Sequence, residues 1–122
     1  PHIIKKEPEV IRDFSDLSGE IKEVQEGMKD TVRKYYGTAY ALADLPIQVA
    51  GKTGSSQVAN NTRTNAFFVA YLPAEALVEV GAPLDKQIAI LVLIENAREG
   101  SLNAVPVGKD VLDWYYWNRL TK

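Results

Sequence analysis

Gly51-Lys52-Thr53-Gly54-Ser55 gathers a cation, two hydroxyls and two glycines into five consecutive residues. The apolar Ile47, Val49 and Ala50 run straight into it, so the segment reads as a strand that carries donors beside backbone a ligand can approach closely. Strand alternation alone puts Lys52 and Gly54 on one face and Thr53 and Ser55 on the other. A glycine-lysine-threonine run also invites a phosphate-binding loop. That motif needs a glycine where this chain has Pro46, and a helix opening just after the lysine. Residues 55–65 have no helical periodicity, so the phosphate reading fails on context.

The elements that must position this strand follow from the rest of the chain. Its 122 residues, 46% apolar and 25% charged, are those of an ordinary globular domain. A net charge of −2 gives no electrostatic footprint for nucleic acid. Without cysteine there is no disulfide framework, thiol chemistry or thiolate-held metal. The run 88–94 is too short to cross a bilayer, and no targeting segment is visible. A start at proline rather than methionine reads as a processed or excised piece.

His2-Ile3-Ile4-Lys5-Lys6, closed by Glu7-Pro8, suits an edge strand or arm. Ser18 is a candidate N-cap for a helix whose stripe is Ile21, Val24, Met28, Val32 and Tyr35, with Gly37 as its C-cap. Residues 47–58 and 66–72 read as strands around a polar turn, and 74–86 as a short helix plus loop. The run 87–95 has no alternation and suits a strand buried on both faces. Residues 105–120 read as a terminal helix with Val107, Val111, Leu112, Tyr115 and Leu120 inward. The expectation is an α+β fold, an antiparallel sheet with helices packed before and after it. Residues 1–122 are expected to form a single partial domain.

In order along the chain come Gly27-Met28, Gly37-Thr38-Ala39, Val49-Ala50-Gly51-Lys52-Thr53-Gly54, Gln57, the strand Phe67-Phe68-Val69-Ala70-Tyr71-Leu72-Pro73, the 88–96 strand and a closing helix. This series, with Pro1-His2-Ile3-Ile4 upstream, resembles the C-terminal part of the transpeptidase domain of class B penicillin-binding proteins, members of the β-lactamase-like serine enzymes. Lys52-Thr53-Gly54 matches their third motif. The resemblance implies that Lys52 joins the charge and proton network around the nucleophile. It implies that Thr53 and Ser55 hydroxyls hold the carboxylate of a D-Ala-D-Ala stem peptide or a β-lactam, and that Ser55 N–H is an oxyanion-hole donor. Gly54 would let substrate lie against the strand. Parents of this kind cross-link peptidoglycan outside the membrane that anchors them.

The sequence departs from the family where threonine is usual and Ser55 stands, a change that keeps the hydroxyl. No S-x-x-K occurs, so the family's acylated serine is not among these residues, and no metal or cofactor is implied. Ser101-Leu102-Asn103 spells S-x-N, but after the last strand rather than before the lysine motif, so it reads as coincidence. Alone, the chain should hold half a substrate site. The alternative is a non-catalytic assembly module that kept the sheet, with bare edges that would pair with another copy or with the rest of the domain. The remaining candidates have plainer readings: His2 as a terminal residue, Met28 as core, Lys22, Lys29, Arg33 and Arg63 as surface charge, and the aromatics 114–117 as an anchor on the sheet.

Overall fold

The computed structural model describes residues 10–58 and 60–122, and the expectations for residues 1–9 lie outside them. A 310 turn at Ser15–Leu17 leads into helix α1 (Ser18–Arg33). Leu17 occupies the cap position and Ser18 is the first helical residue, with no side-chain cap. Only Val32 of the expected stripe is buried, while Ile21, Val24 and Tyr35 are exposed and Met28 is half-buried. The described residues therefore cover only the C-terminal part of that face.

Gly37 is not the C-cap of α1, because the helix stops at Arg33 and Lys34 is extended. Its role is close approach. Ala39 N–H donates to Thr31 O (3.1 Å), folding the chain back onto the helix. A Cβ at residue 37 would lie 2.1 Å from that same oxygen. A 310 turn at Tyr40–Leu42 follows, with Leu42 buried.

Strands β1 (Ala50–Val58), β2 (Arg63–Tyr71) and β3 (Ala89–Ile94) form an antiparallel sheet in the order β1-β2-β3. Asn60 and Asn61 have φ of 54° and 65°, a left-handed turn whose twist suits a hairpin. Helix α2 (Ala74–Glu79) and a 310 turn at Leu84–Lys86 connect β2 to β3. After β3 a π-helical turn at Gly100–Ala104 opens helix α3 (Val105–Tyr115), which ends in a second π turn at Tyr116–Leu120.

The register puts Thr53, Ser55, Ala66, Phe68, Ala70, Ile90, Val92 and Ile94 on one sheet face. α3 packs on it, with Val105, Gly108 and Leu112 buried. Phe68, fully buried, is the centre of this layer: a Cβ at Gly108 would lie 2.5 Å from its ring and one at Gly51 2.8 Å. Val107 and Val111 turn out to be exposed, because Val105, Gly108 and Leu112 form the contacting stripe instead. The aromatic anchor is Tyr115, partly buried and donating its hydroxyl to Lys86 O (2.9 Å). Trp114 and Trp117 are more than half exposed.

The other face carries Lys52, Gly54, Phe67, Val69, Leu91 and Leu93. Leu91 is 65% exposed and Leu93 48%. β3 is thus not buried on both faces among the described residues. Its unbroken apolar run still marks Leu91 and Leu93 as a surface that favours cover.

Lys29 departs from the surface reading as well. Its side chain is only 12% exposed and its ammonium bonds both Glu26 and Glu75, tying α1 to α2. The hydrogen bonds it donates to these carboxylates push its pKa up to about 12, and the ammonium in turn holds both carboxyls below their usual range. The carboxylate contribution is present above the unfolded value near 4.5 and is lost as pH falls through the depressed folded values. That of Lys29 is present below 10.5 and fades as pH rises through about 12. Lys29→Met is therefore expected to flatten the acid limb of a denaturation series measured from pH 6 to pH 2. An unchanged acid limb would show the triad to be energetically silent, as many exposed ion pairs are.

Candidate functional site

The backbone of β1 sets the site, and two bonds on the far side of β2 determine which way it faces. Leu72 N–H donates to Ile88 O (3.1 Å) and Thr64 O accepts from Ala97 N–H (2.8 Å), both toward β3. In an antiparallel ladder a residue's N–H and C=O point the same way and alternate residues point oppositely. Even-numbered residues of β2 therefore face β3, and odd-numbered ones face β1. Val69 and Phe67 exchange bonds with their register partners Lys52 and Gly54. The N–H and C=O groups of Thr53 and Ser55 are left pointing out of β1, which has no second strand beside it among the described residues.

The side chains agree with this parity. Lys52 is exposed, and its Nζ bends over the free edge to donate to Thr53 O at 2.6 Å. An ammonium, the Thr53 carbonyl and the Ser55 N–H thus share one open edge. Thr53 Oγ1 lies 2.8 Å from Thr38 Oγ1. Ser55 Oγ accepts from Gly100 N–H at 3.2 Å. Gly54 meets nothing closer than Phe67 Cβ at 3.4 Å from an added Cβ, so the packing of the described residues does not require glycine there. The structure therefore brings Lys52, Thr53, Gly54 and Ser55 together on one strand, with the hydroxyls on the face opposite Lys52 and Gly54, as alternation requires.

A cleft of about 510 Å³ is lined by Val32, Tyr40, Leu42, Ile47 and Val49 among others, and none of the four motif residues borders it. The site is an edge rather than a pocket. Asn103 Oδ1 accepts from the backbone N–H of Arg98 and Glu99, and Ser101 Oγ donates to Glu99. Ser101-Leu102-Asn103 thus holds a loop together. Arg63 opens β2 and is exposed. No group of three or more acidic, histidine or cysteine residues placed to hold a metal occurs among the described residues.

Two residues at the site had no assigned role in the sequence. Thr38 stood within the Gly37-Thr38-Ala39 run, where a signal was present without a meaning. Gly100 had none, since nothing in the residues after β3 announces that they fold back onto Gly54.

The family profile of the penicillin binding protein transpeptidase domain matches residues 1–113. This chain belongs to that transpeptidase family. Among curated relatives it is 36% identical over 100 residues to the peptidoglycan D,D-transpeptidase MrdA of Haemophilus influenzae, covering 77% of this chain and 15% of that protein. It is 31% identical over 124 residues to MrdA of Acinetobacter baumannii, covering 98% and 18%. The chain thus spans less than a fifth of either relative. The fold resembles Pseudomonas aeruginosa PBP2 in complex with WCK 5153, at TM-score 0.62 and 30% identity over 98% of this chain and 22% of that one. It also resembles Helicobacter pylori PBP2 in its complex with MreC, at TM-score 0.65 and 28% identity over 87% and 18%. These transpeptidase relatives favour the transpeptidase reading of this chain over an assembly module without chemistry.

Proposed function

We propose that this transpeptidase chain supplies the substrate-binding edge strand of a peptidoglycan D,D-transpeptidase that works through a serine acyl-enzyme. The observation that supports this reading is the free edge of β1, where the Ser55 N–H and the Lys52 ammonium lie together. A D-Ala-D-Ala stem peptide would lie along that edge as an added strand. Ser55 N–H would donate to the oxyanion, and Lys52 would stabilise developing charge and carry protons near the nucleophile. The hydroxyls of Thr53 and Ser55 would hold the terminal carboxylate, and Gly54 would keep the edge clear. A serine from sequence outside these residues attacks the carbonyl carbon and D-alanine leaves. The acyl group then passes to an amine of a second stem. A β-lactam would occupy the same site and stay as the acyl adduct.

In this reading residues 1–122 are one partial domain. The bare face of Val69, Leu91 and Leu93, with the outer edge of β3, docks the upstream part of the same transpeptidase domain; in its absence a second copy would take the place. The peptidoglycan transpeptidase relatives support a parent that works outside the cytoplasmic membrane, and in this reading the parent is anchored to that membrane. No helix among the described residues is long and apolar enough to cross a membrane.

A fluorescent penicillin tests the reading. The 122-residue chain alone is expected to take no covalent label, and the same chain joined to a segment carrying S-x-x-K is expected to take label on that serine. Covalent label on the chain alone would overturn it.

A further inference from the structure

Both hydroxyls of the motif already have partners within this chain, and the partners are arranged alike. Gly100 N–H can only donate, so Ser55 Oγ accepts from it (3.2 Å) and turns its own proton elsewhere. Thr53 Oγ1 pairs with Thr38 Oγ1 (2.8 Å), a bond in which either oxygen could donate. We propose that Thr38 is a positioning residue: it donates to Thr53 Oγ1 and leaves the Thr53 proton for an anionic ligand. This rests on the reading that Thr53 binds a carboxylate, which accepts protons and offers none. With the ligand present, Thr53 must donate to it, so the bond between the two hydroxyls has one remaining direction.

The surroundings of Thr38 hold it in place for this task. Gly37 leaves no room between the chain and Thr31 O, and Ala39 N–H closes on the same oxygen. Gly37 N–H donates to Lys34 O at 2.8 Å. Thr38 is thus flanked by residues clamped to the end of α1, and Ala39 is fully buried. A hydroxyl presented from that clamp fixes the Thr53 rotamer and polarises its O–H, so that the proton is held ready rather than distributed among rotamers. Ser55 receives the same treatment from Gly100, which is itself wedged against the paired backbones of Gly54 and Phe67. A donor from the α1 end and a donor from the π turn before α3 preset two protons for one anion.

The test uses the complete transpeptidase that carries this chain and the acylation rate by a fluorescent penicillin across concentration. Thr38→Val, which keeps the shape and removes the hydroxyl, is expected to raise the half-saturating concentration about three- to tenfold, the worth of one hydrogen bond, with the limiting rate and thermal midpoint little changed. Thr38→Ser should restore wild-type behaviour. Thr53→Val should weaken binding at least as much, and the double variant should be no worse than Thr53→Val alone, since Thr38 acts only through Thr53. Wild-type binding in Thr38→Val beside impaired Thr53→Val would overturn the proposal and leave the carboxylate site standing. Wild-type binding in both would overturn the carboxylate role of Thr53 and the proposal with it. An equal defect in Thr38→Ser and Thr38→Val would place the effect in packing and also overturn it.

Discussion

Lys52→Met is expected to leave the fold intact and lower the limiting acylation rate by a β-lactam about 10²–10³-fold. Lys52 is exposed, and the hydrogen bond its ammonium makes among the described residues, to Thr53 O, is made over the free edge. Exposed substitutions of this kind change stability by no more than about 0.5 kcal/mol. In the proposed mechanism the loss should appear in chemistry, because there the ammonium, beside the outward Ser55 N–H, stabilises developing charge, while the groups proposed to bind ligand are the hydroxyls of Thr53 and Ser55. Single-turnover labelling of the complete enzyme separates the two. The limiting rate should fall while the half-saturating concentration moves much less. A variant that acylates at the wild-type rate would remove Lys52 from the mechanism.

The second large effect concerns a residue that carries no chemistry. Gly100→Ala is expected to destabilise the chain by about 2–4 kcal/mol, combining overpacking with a lost hydrogen bond. Its Cβ would fall 2.5 Å from Phe67 O and 2.8 Å from Gly54 O. Both are backbone atoms of paired strands, so neither can swing aside as a side chain could. Relief requires the π turn to lift from β1. That breaks the Gly100 N–H bond to Ser55 Oγ and opens the seats of Ala104 and Val105, now 0% and 1% exposed. Chemical denaturation should show the loss as a lower midpoint, and β-lactam binding should weaken because Ser55 loses its partner. Gly54→Ala gives the contrast. Its nearest neighbour would be Phe67 Cβ at 3.4 Å, an ordinary contact, so stability should change little while ligand approach along the edge is obstructed. Equal stability losses at residues 54 and 100 would contradict this geometry.

Much of this was legible in the residues, and the illegible part has a common cause. The β1 motif, the hairpin turn and the three strands come from short-range patterning, in which side-chain period and turn chemistry are written within a few positions. Helix ends were misplaced where distant contacts decide them. Gly37 looks like a cap by composition, yet it is held by the approach of the chain to Thr31 O. Val107 and Val111 share the apolar character of Leu112, but the small Gly108 lets α3 settle on Phe68 and fixes which stripe faces inward. The continuous apolar run of β3 reads as burial on both faces, but the described residues cover only one, leaving Leu91 and Leu93 exposed.

By itself, the sequence determined the family, through an ordered series of local motifs, and it singled out four residues on β1 as the candidate site. Alternation also settled that Lys52 and Gly54 lie opposite Thr53 and Ser55. Tertiary structure alone decided the direction of the backbone. That Ser55 N–H faces out of the sheet follows from bonds made by Leu72 and Thr64 toward β3, and ladder parity is a property of paired strands. It decided too that Thr38 and Gly100 hold the two hydroxyls, because a contact spanning 15 or 45 residues depends on how the chain packs and leaves no periodic trace in composition.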